Sequence, residues 1–579
     1  MNRKTRLAFS FASSLALGSA ALGSTALLPT PAQACGGFFC NNVQPVNQAA
    51  ERIIFSQAED GTVTAVIQIQ YTGEAESFAW VLPVTGTPEV RVSSNLAFQR
   101  LQSATNPQYT LTTRIEGSCR DADSRGSPSS GFVTSDALLA RSDAGSGVMV
   151  VSEGSVGPYD FIVINVDPMT PRASDSAVAW LRDNDFQIDP SAADRLEPYL
   201  ATGMNLMAFR LTKGNTTGSI RPVEITFGRG QASIPIRPTA VAAVADMGVM
   251  VWVLGAHRAV PVNYASLELN EALINWLSPS ANYNSVVTEA ANQAGGQGFV
   301  TELAGTSASL SQVIYPSFER DIWTSLNAGG AGAWTGREGE LFNTALQRLA
   351  QMDGVREALR ASIALPSPDV TYEQMLRCPS CYFDFSVTDI PGFEPAVFLA
   401  ALEENVIEPM ERTSAFFDAR PYVTRLYTTM SAEEMTRDPA FDFNADLPEV
   451  SNIHNAERVI ECSPSINQFE APWRVALASG EVVRGRGNVW PLSVGGTVPA
   501  NRTIRRYETS GEGEVIVDNA ATIGTAIREN NARIPGPPPS AAAGGSGGGC
   551  STSQGAHTSG TWFGVALGAL ALTLSRRRR

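Results

Sequence analysis

Residues 51–90 read ERIIFSQAEDGTVTAVIQIQYTGEAESFAWVLPVTGTPEV. Val63, Ala65, Ile67, Ile69 and Tyr71 alternate with Thr62, Thr64, Gln68 and Gln70. A period of two puts one set of side chains on each face of a half-buried strand. Asp60-Gly61 is a hairpin turn signal, and Gly73 closes a second turn. The stretch predicts an antiparallel meander of strands at Arg52–Gln57, Thr62–Tyr71, Ser77–Leu82 and Glu89–Val92, followed by a helix over Asn95–Gln102.

Outward from there, strands and helices mix. Residues 121–131 are a loop by composition, and Tyr159–Val166 reads as a strand. Ser174 is placed to cap a helix to Asn184, Ser191 starts another toward Leu200, and Gly203 stops it. Strands are expected at Asn205–Leu211, Pro222–Phe227, Ser233–Ile236 and Val249–Leu254, and a helix at Leu267–Leu277. Residues 280–420 are helix-rich, through Glu340–Met352, Val355–Ala361, Tyr372–Arg377 and Glu394–Phe417, with Pro409 a candidate kink. Short strands return from Tyr422, at Trp473–Leu477, Val482–Arg484 and Val515–Val517. Without a regular strand–helix–strand rhythm the fold class is α+β. The expected organisation is an α+β segment at 35–278, a helix-rich segment at 279–421, a β-rich segment at 422–533 and a Pro/Gly/Ala linker at 534–549.

Both ends carry addresses. Arg3, Lys4 and Arg6 precede an uncharged apolar stretch, and Ala32-Gln33-Ala34 follows Pro29 and Pro31. Basic, apolar, then small-x-small is a secretory signal, with cleavage after Ala34. A lipoprotein signal also cuts before a Cys, here Cys35, but usually carries Leu where this chain has Ala32. At the other end Thr561–Leu574 is uncharged and mostly apolar, and Arg576–Arg579 closes the chain. At a rise of about 1.5 Å per residue the run spans roughly 21 Å, short of the ~30 Å hydrocarbon core. Gly549-Cys550, a polar spacer, an apolar run and terminal arginines together resemble the myxobacterial C-terminal sorting tail. That resemblance implies processing at Cys550 and anchoring through it. The alternative is a retained membrane helix.

Seven of the 42 Lys and Arg lie in these two ends, which leaves 35 against 57 acids, a formal charge of −22. Such a chain is a poor partner for nucleic acid. Besides Cys550 there are six cysteines, Cys35, Cys40, Cys119, Cys378, Cys381 and Cys462. An even six in an exported chain predicts disulfides, and spacing alone does not choose their pairing. Cys35 and Cys40, around a two-glycine loop, are the favoured local pair.

The phrases ACGGFFC, VNQAAERIIF, FAWVLPVTGTPEV, VGPYDFIVIN, IPIRPTAVAA and DMGVMVWVLG resemble the bacterial DUF2330 family, as does YVTRLYTTMSAEEMTRDPAFDFNADLPEV. The resemblance implies a secreted envelope protein and supplies no catalytic residues.

Few residues invite chemistry. Cys378-Pro-Ser-Cys381 has redox spacing, but the expected helix ends before it, whereas a low thiol pKa needs a helix to begin there. A zinc site would need Cys119 and Cys462 as well, against the redox compartment. His257 and His454 are the two histidines outside the tail, which holds His557. Asp442, Asn444 and Asp446 open like a calcium loop, yet Leu447 and Ile453 stand where Gly and Glu belong. Trp334 is a candidate exposed loop tip. The expectation is an exported, envelope-anchored structural or binding protein without cofactor, whose partners are the membrane and the export and sorting machinery. The alternative is a secreted carboxylate-dependent hydrolase or thiol-redox enzyme.

Overall fold

The computed structural model describes residues 38–39, 47–72, 79–120, 148–186, 188–211, 220–329, 354–382 and 392–534, with a few positions between 343 and 352. All lie in one compact unit; the second unit, Pro537–Arg579, falls outside the described residues, as do Ala34, Cys35, Cys40, Trp334, Cys550 and His557.

Strands β1 (Phe38–Phe39), β2 (Asn47–Gln57), β3 (Thr62–Thr72), β4 (Ala79–Val84), β5 (Glu89–Val92), β6 (Gln108–Glu116), β7 (Met149–Val156) and β8 (Tyr159–Asn165) come first. Next are β9 (Asn205–Leu211), β10 (Val223–Arg229), β11 (Ala232–Ser233), β12 (Ala243–Gly255), β13 (Arg258–Pro261), β14 (Ala265–Leu269) and β15 (Gly298–Thr306). The last are β16 (Tyr422–Met430), β17 (Ala440–Asn444), β18 (Ile453–Glu461), β19 (Pro472–Ala476), β20 (Val482–Arg486), β21 (Asn501–Arg506) and β22 (Glu514–Asp518).

A ten-stranded sheet, β22-β21-β14-β15-β16-β12-β2-β3-β10-β5, forms the spine of an α+β fold. Strands from all three expected segments, 35–278, 279–421 and 422–533, sit side by side in it, so they share its cores. On β2, Ile53 and Phe55 face one core while Ile54 faces the other. Each fully buried apolar side chain of this kind stabilises by about 1.5–3 kcal/mol. One face is covered by helices, among them α1 (Asn95–Thr105). The opposite face packs on a five-stranded sheet, β1-β4-β9-β8-β7. Helices α2 (Ala173–Asp183) and α3 (Ala192–Leu200) lie on that sheet's outer side.

The expected meander holds only as the β2–β3 hairpin, whose register runs from Asn47↔Thr72 to Gln57↔Val63. β4 leaves for the five-stranded sheet and β5 pairs with β10. The reason is β4's composition: Trp80, Leu82 and Val84 enter one core and Val81 another. A strand apolar on both faces needs cover on both. Ser174 caps nothing; it is buried just inside α2, with its N–H and hydroxyl both donating to Glu197 Oε2. The expected strand Ser233–Ile236 is a two-residue strand followed by a helical turn, α4 (Ile236–Thr239).

The expected helix Leu267–Leu277 is instead β14 followed by a 3-10 turn, Glu271–Leu273. The helix-rich segment contains α5 (Tyr283–Gln293) but also the unforeseen β15. It continues through α6 (Leu310–Ile314), α7 (Ser317–Gly329), α8 (Val355–Ser362), α9 (Tyr372–Arg377), α10 (Pro395–Leu402) and α11 (Glu408–Ala419). Between α10 and α11 the chain makes a π turn at Glu403–Ile407. Pro409 has no N–H for the carbonyl four residues back, that of Asn405. Gly354, at φ +93°, lies so close to that carbonyl that a Cβ would meet its oxygen at 2.4 Å.

Candidate functional site

β14 and β15 run parallel from Ala265↔Gly298 to Leu267↔Val300. They then part: β14 stays with β21, while β15 continues beside β16 to Thr306. The fork leaves a cavity of about 590 Å³, walled by residues 266–271 on one side and 300–302 on the other. Crevices at the carboxyl ends of parallel strands are common ligand sites, and this volume lies within the range of small-molecule pockets.

One group of lining residues centres on His454. It sits on β18 opposite Tyr109 of β6, and the two rings stack at 4.5 Å and 12°. His454 Nδ1 lies 2.7 Å from Glu271 Oε1. That contact orients the ring and leaves Nε2 without a hydrogen bond among the described residues. Behind it, Glu302 accepts from the Tyr283 hydroxyl at 2.5 Å and pairs with Arg425 at 2.6 Å, with both charged side chains almost fully buried. Burial pushes the Glu302 carboxyl above its usual range, partly offset by Arg425, Tyr283 and His454. Burial also raises the Tyr109 and Tyr283 hydroxyls well above normal, helped by nearby Glu302. Both stay protonated.

The other group is cationic. Arg258 of β13 is 8% exposed, packs over the Tyr507 ring at 5.7 Å and donates to the Pro448 carbonyl at 3.0 Å. Burial lowers its pKa, and no carboxylate pairs with it among the described residues. On the sheet, Ser266 of β14 stands directly opposite Arg505 of β21. Cross-strand partners share a face, and both line the cavity. Arg505 makes no ion pair or side-chain hydrogen bond among the described residues. Nearby acids are matched: Glu268 accepts from Thr503 at 2.6 Å and lies 3.8 Å from Arg502, which also pairs with Glu481 at 2.5 Å.

Among the described residues, Arg258 Nε, Ser266 Oγ, Glu271 Oε2 and Glu302 Oε2 are buried without a hydrogen bond and belong to residues lining this cavity; Glu302 Oε2 has Arg425 Nε at 2.6 Å as its ion-pair partner, which leaves three. An unmet buried polar atom costs about 1–3 kcal/mol. Three such atoms lie around this one cavity.

Four of the cysteines are joined in pairs. Cys119 is joined to Cys462, Cα atoms 4.7 Å apart, and Cys378 to Cys381, Cα atoms 5.4 Å apart. The first bond ties the chain just past β6 to the residue after β18, the strands that carry Tyr109 and His454. Gly117, at φ +83°, permits the approach, since a Cβ there would meet the Cys462 carbonyl oxygen at 2.4 Å. Cys378 follows the end of α9, and only a 3-10 turn, Pro379–Cys381, comes after it. His257 is exposed between β12 and β13. Asn444 donates to the carbonyls of Glu508 and Gly511, and Asp446 accepts from the Gly511 N–H, so this stretch pins a loop. Among the described residues no cluster suits a metal and no helix is long and apolar enough to cross a membrane.

Of the cavity residues, the sequence alone singles out only His454. Glu271 hides inside the misread helix; the alternation of Ser266, Glu268 and Asn270 with Leu267 and Leu269 is the signal that reveals β14.

No curated protein and no solved structure matches the chain. The span 29–315 holds β14, β15 and the lining residues Arg258, Ser266, Glu271, Tyr283 and Glu302, while His454 and Arg505 lie beyond it. Over that span the chain matches the family described as uncharacterized protein conserved in bacteria, DUF2330.

Proposed function

We propose that this is a binding protein of the cell envelope, exported by its N-terminal signal and anchored through its tail, and that the cavity at the β14–β15 fork holds its ligand. The observation that carries the ligand site is the trio of buried, unpartnered polar atoms, Arg258 Nε, Ser266 Oγ and Glu271 Oε2. Two disulfides among the described residues support an oxidising compartment. A panel of small polar compounds is screened for a rise in melting temperature of the purified protein. A true ligand stabilises as RT ln(1 + [L]/Kd), about 2.7 kcal/mol at a hundredfold excess over Kd. Ser266→Phe, which fills the cavity, should abolish that shift. A panel without any saturable shift, or a shift that survives Ser266→Phe, contradicts the reading.

A second reading, an acid–base enzyme, is favoured by one contact: Glu271 orients His454 as a base is oriented. Against it, no hydroxyl or thiol hydrogen-bonds His454 among the described residues. Chemical turnover of a bound compound, lost in His454→Gln while binding persists, would decide for the enzyme.

A further inference from the structure

Resting on the cavity being a ligand site, we propose that its ligand is a small hydroxylated carboxylate, its carboxylate held by Arg258, Arg505 and Ser266 and its hydroxyls received by Glu271.

Glu302 and Glu268 are matched by arginines, and Glu271 lies 2.7 Å from an imidazole nitrogen. Two guanidinium groups are unmatched. Arg258 is buried, donates to the Pro448 carbonyl and lies against Tyr507 with Tyr422 nearby, and among the described residues it has no carboxylate and its Nε makes no hydrogen bond. Arg505 has neither acid nor acceptor at its side chain among the described residues. A buried cation is stable when an anion and its hydrogen bonds complete it. The planar guanidinium fork suits a carboxylate, which it meets with two parallel bonds.

Placement supports a shared anion site. Arg505 stands across the ladder from Ser266, whose buried hydroxyl lacks a partner. Arg258 lies over Tyr507, two residues along the chain from Arg505. Glu271 Oε2, the remaining unmet atom, is an acceptor whose carboxylate already has an imidazole. It wants a neutral donor, which a hydroxyl supplies. The protein as a whole is acidic, with a formal charge of −15. Two unmatched arginines at one cavity therefore run against the overall charge and are local in purpose.

D-Glucuronate and D-glucose test this, since they share ring hydroxyls and differ by the carboxylate. Calorimetric titration of the full chain should show saturable binding of glucuronate, at least about tenfold tighter than glucose, because charged hydrogen bonds supply the difference. Binding should weaken as salt rises. Arg505→Gln, at a partly exposed position, should cost about tenfold in affinity without changing the melting temperature of the free protein. Arg258→Gln should also cost about tenfold in affinity, but should raise that melting temperature by removing an unmatched buried charge. Equal binding of glucose and glucuronate to the wild type, with loss of both in Ser266→Phe, would overturn the anion inference and keep the cavity as the site. Glucuronate affinity unchanged by Arg505→Gln, or no saturable glucuronate binding, would also overturn it. Binding of either probe that survives Ser266→Phe would instead strike at the cavity itself.

Discussion

Arg425 and Arg258 are both buried arginines, and the contrast between them locates the site. Arg425 pairs with Glu302, donates to Thr105 Oγ1 at 3.0 Å and to Asn106 Oδ1 at 2.8 Å, and lies over Trp252. Trp252 in turn donates to Thr105 Oγ1 at 3.0 Å. That network fastens α1 to β12 and β16, and its partners serve the fold. Arg258 has no carboxylate partner among the described residues, and it lines the cavity. Asp438 is a third kind of buried charge. It accepts from the Tyr199 hydroxyl at 2.8 Å and from the Ile236 N–H at 3.0 Å, and burial still raises its pKa above the usual 3.8. The folded state then holds a proton that the unfolded chain releases, so stability from this group is full below about pH 3.8 and falls as pH rises through the raised value. The wild type should therefore lose stability relative to Asp438→Asn between pH 4 and pH 7. Urea unfolding of both proteins at the two pH values measures it; a constant difference, or a wild type that gains, contradicts the assignment.

At the level of elements, the two disulfides differ in what they close. Cys119–Cys462 spans 343 residues and joins the ends of two parallel neighbours, β6 and β18, whereas Cys378–Cys381 spans 3. In the chain-entropy account a longer loop gives a larger stabilisation, typically 2–4 kcal/mol. Changing Cys119 and Cys462 to Ser should lower the melting temperature clearly more than changing Cys378 and Cys381, and should loosen the Tyr109–His454 stack as well. Thermal unfolding of the two double variants checks this, and equal shifts would contradict it. Legibility also varied by element. The β2–β3 hairpin could be read because one face is wet and one dry, so its composition alternates. β14 could not, because Leu267, Leu273, Ile274 and Leu277 also fit a helical stripe, and only pairing with β15 and β21 settles the conflict. β4's partner was hidden for a related reason: an apolar run says that a strand is buried and not which sheet buries it.

Across the whole molecule, the α+β class was legible because strand and helix patterns mix without a repeating unit. The site was not. Its residues lie at positions 109, 258, 266, 271, 283, 302, 454 and 505, on strands of three different sheets, a turn and the start of α5, which become neighbours only when those elements pack together. No local spacing joins Arg258 to Arg505 or Glu271 to His454. The family match stops at residue 315, so part of the cavity wall comes from chain beyond it. The same long-range pairing that builds the fold therefore builds the site, and the fork is where it leaves polar atoms unmet. The most direct measurement is a crystal structure of the protein, purified without denaturation from the cells that make it, at a resolution that distinguishes a small molecule from ordered water. The account predicts a bound organic molecule at the β14–β15 fork, hydrogen-bonded to Arg258 Nε, Ser266 Oγ and Glu271 Oε2. A closed fork, with those three atoms bonded to the protein's own groups, would contradict it.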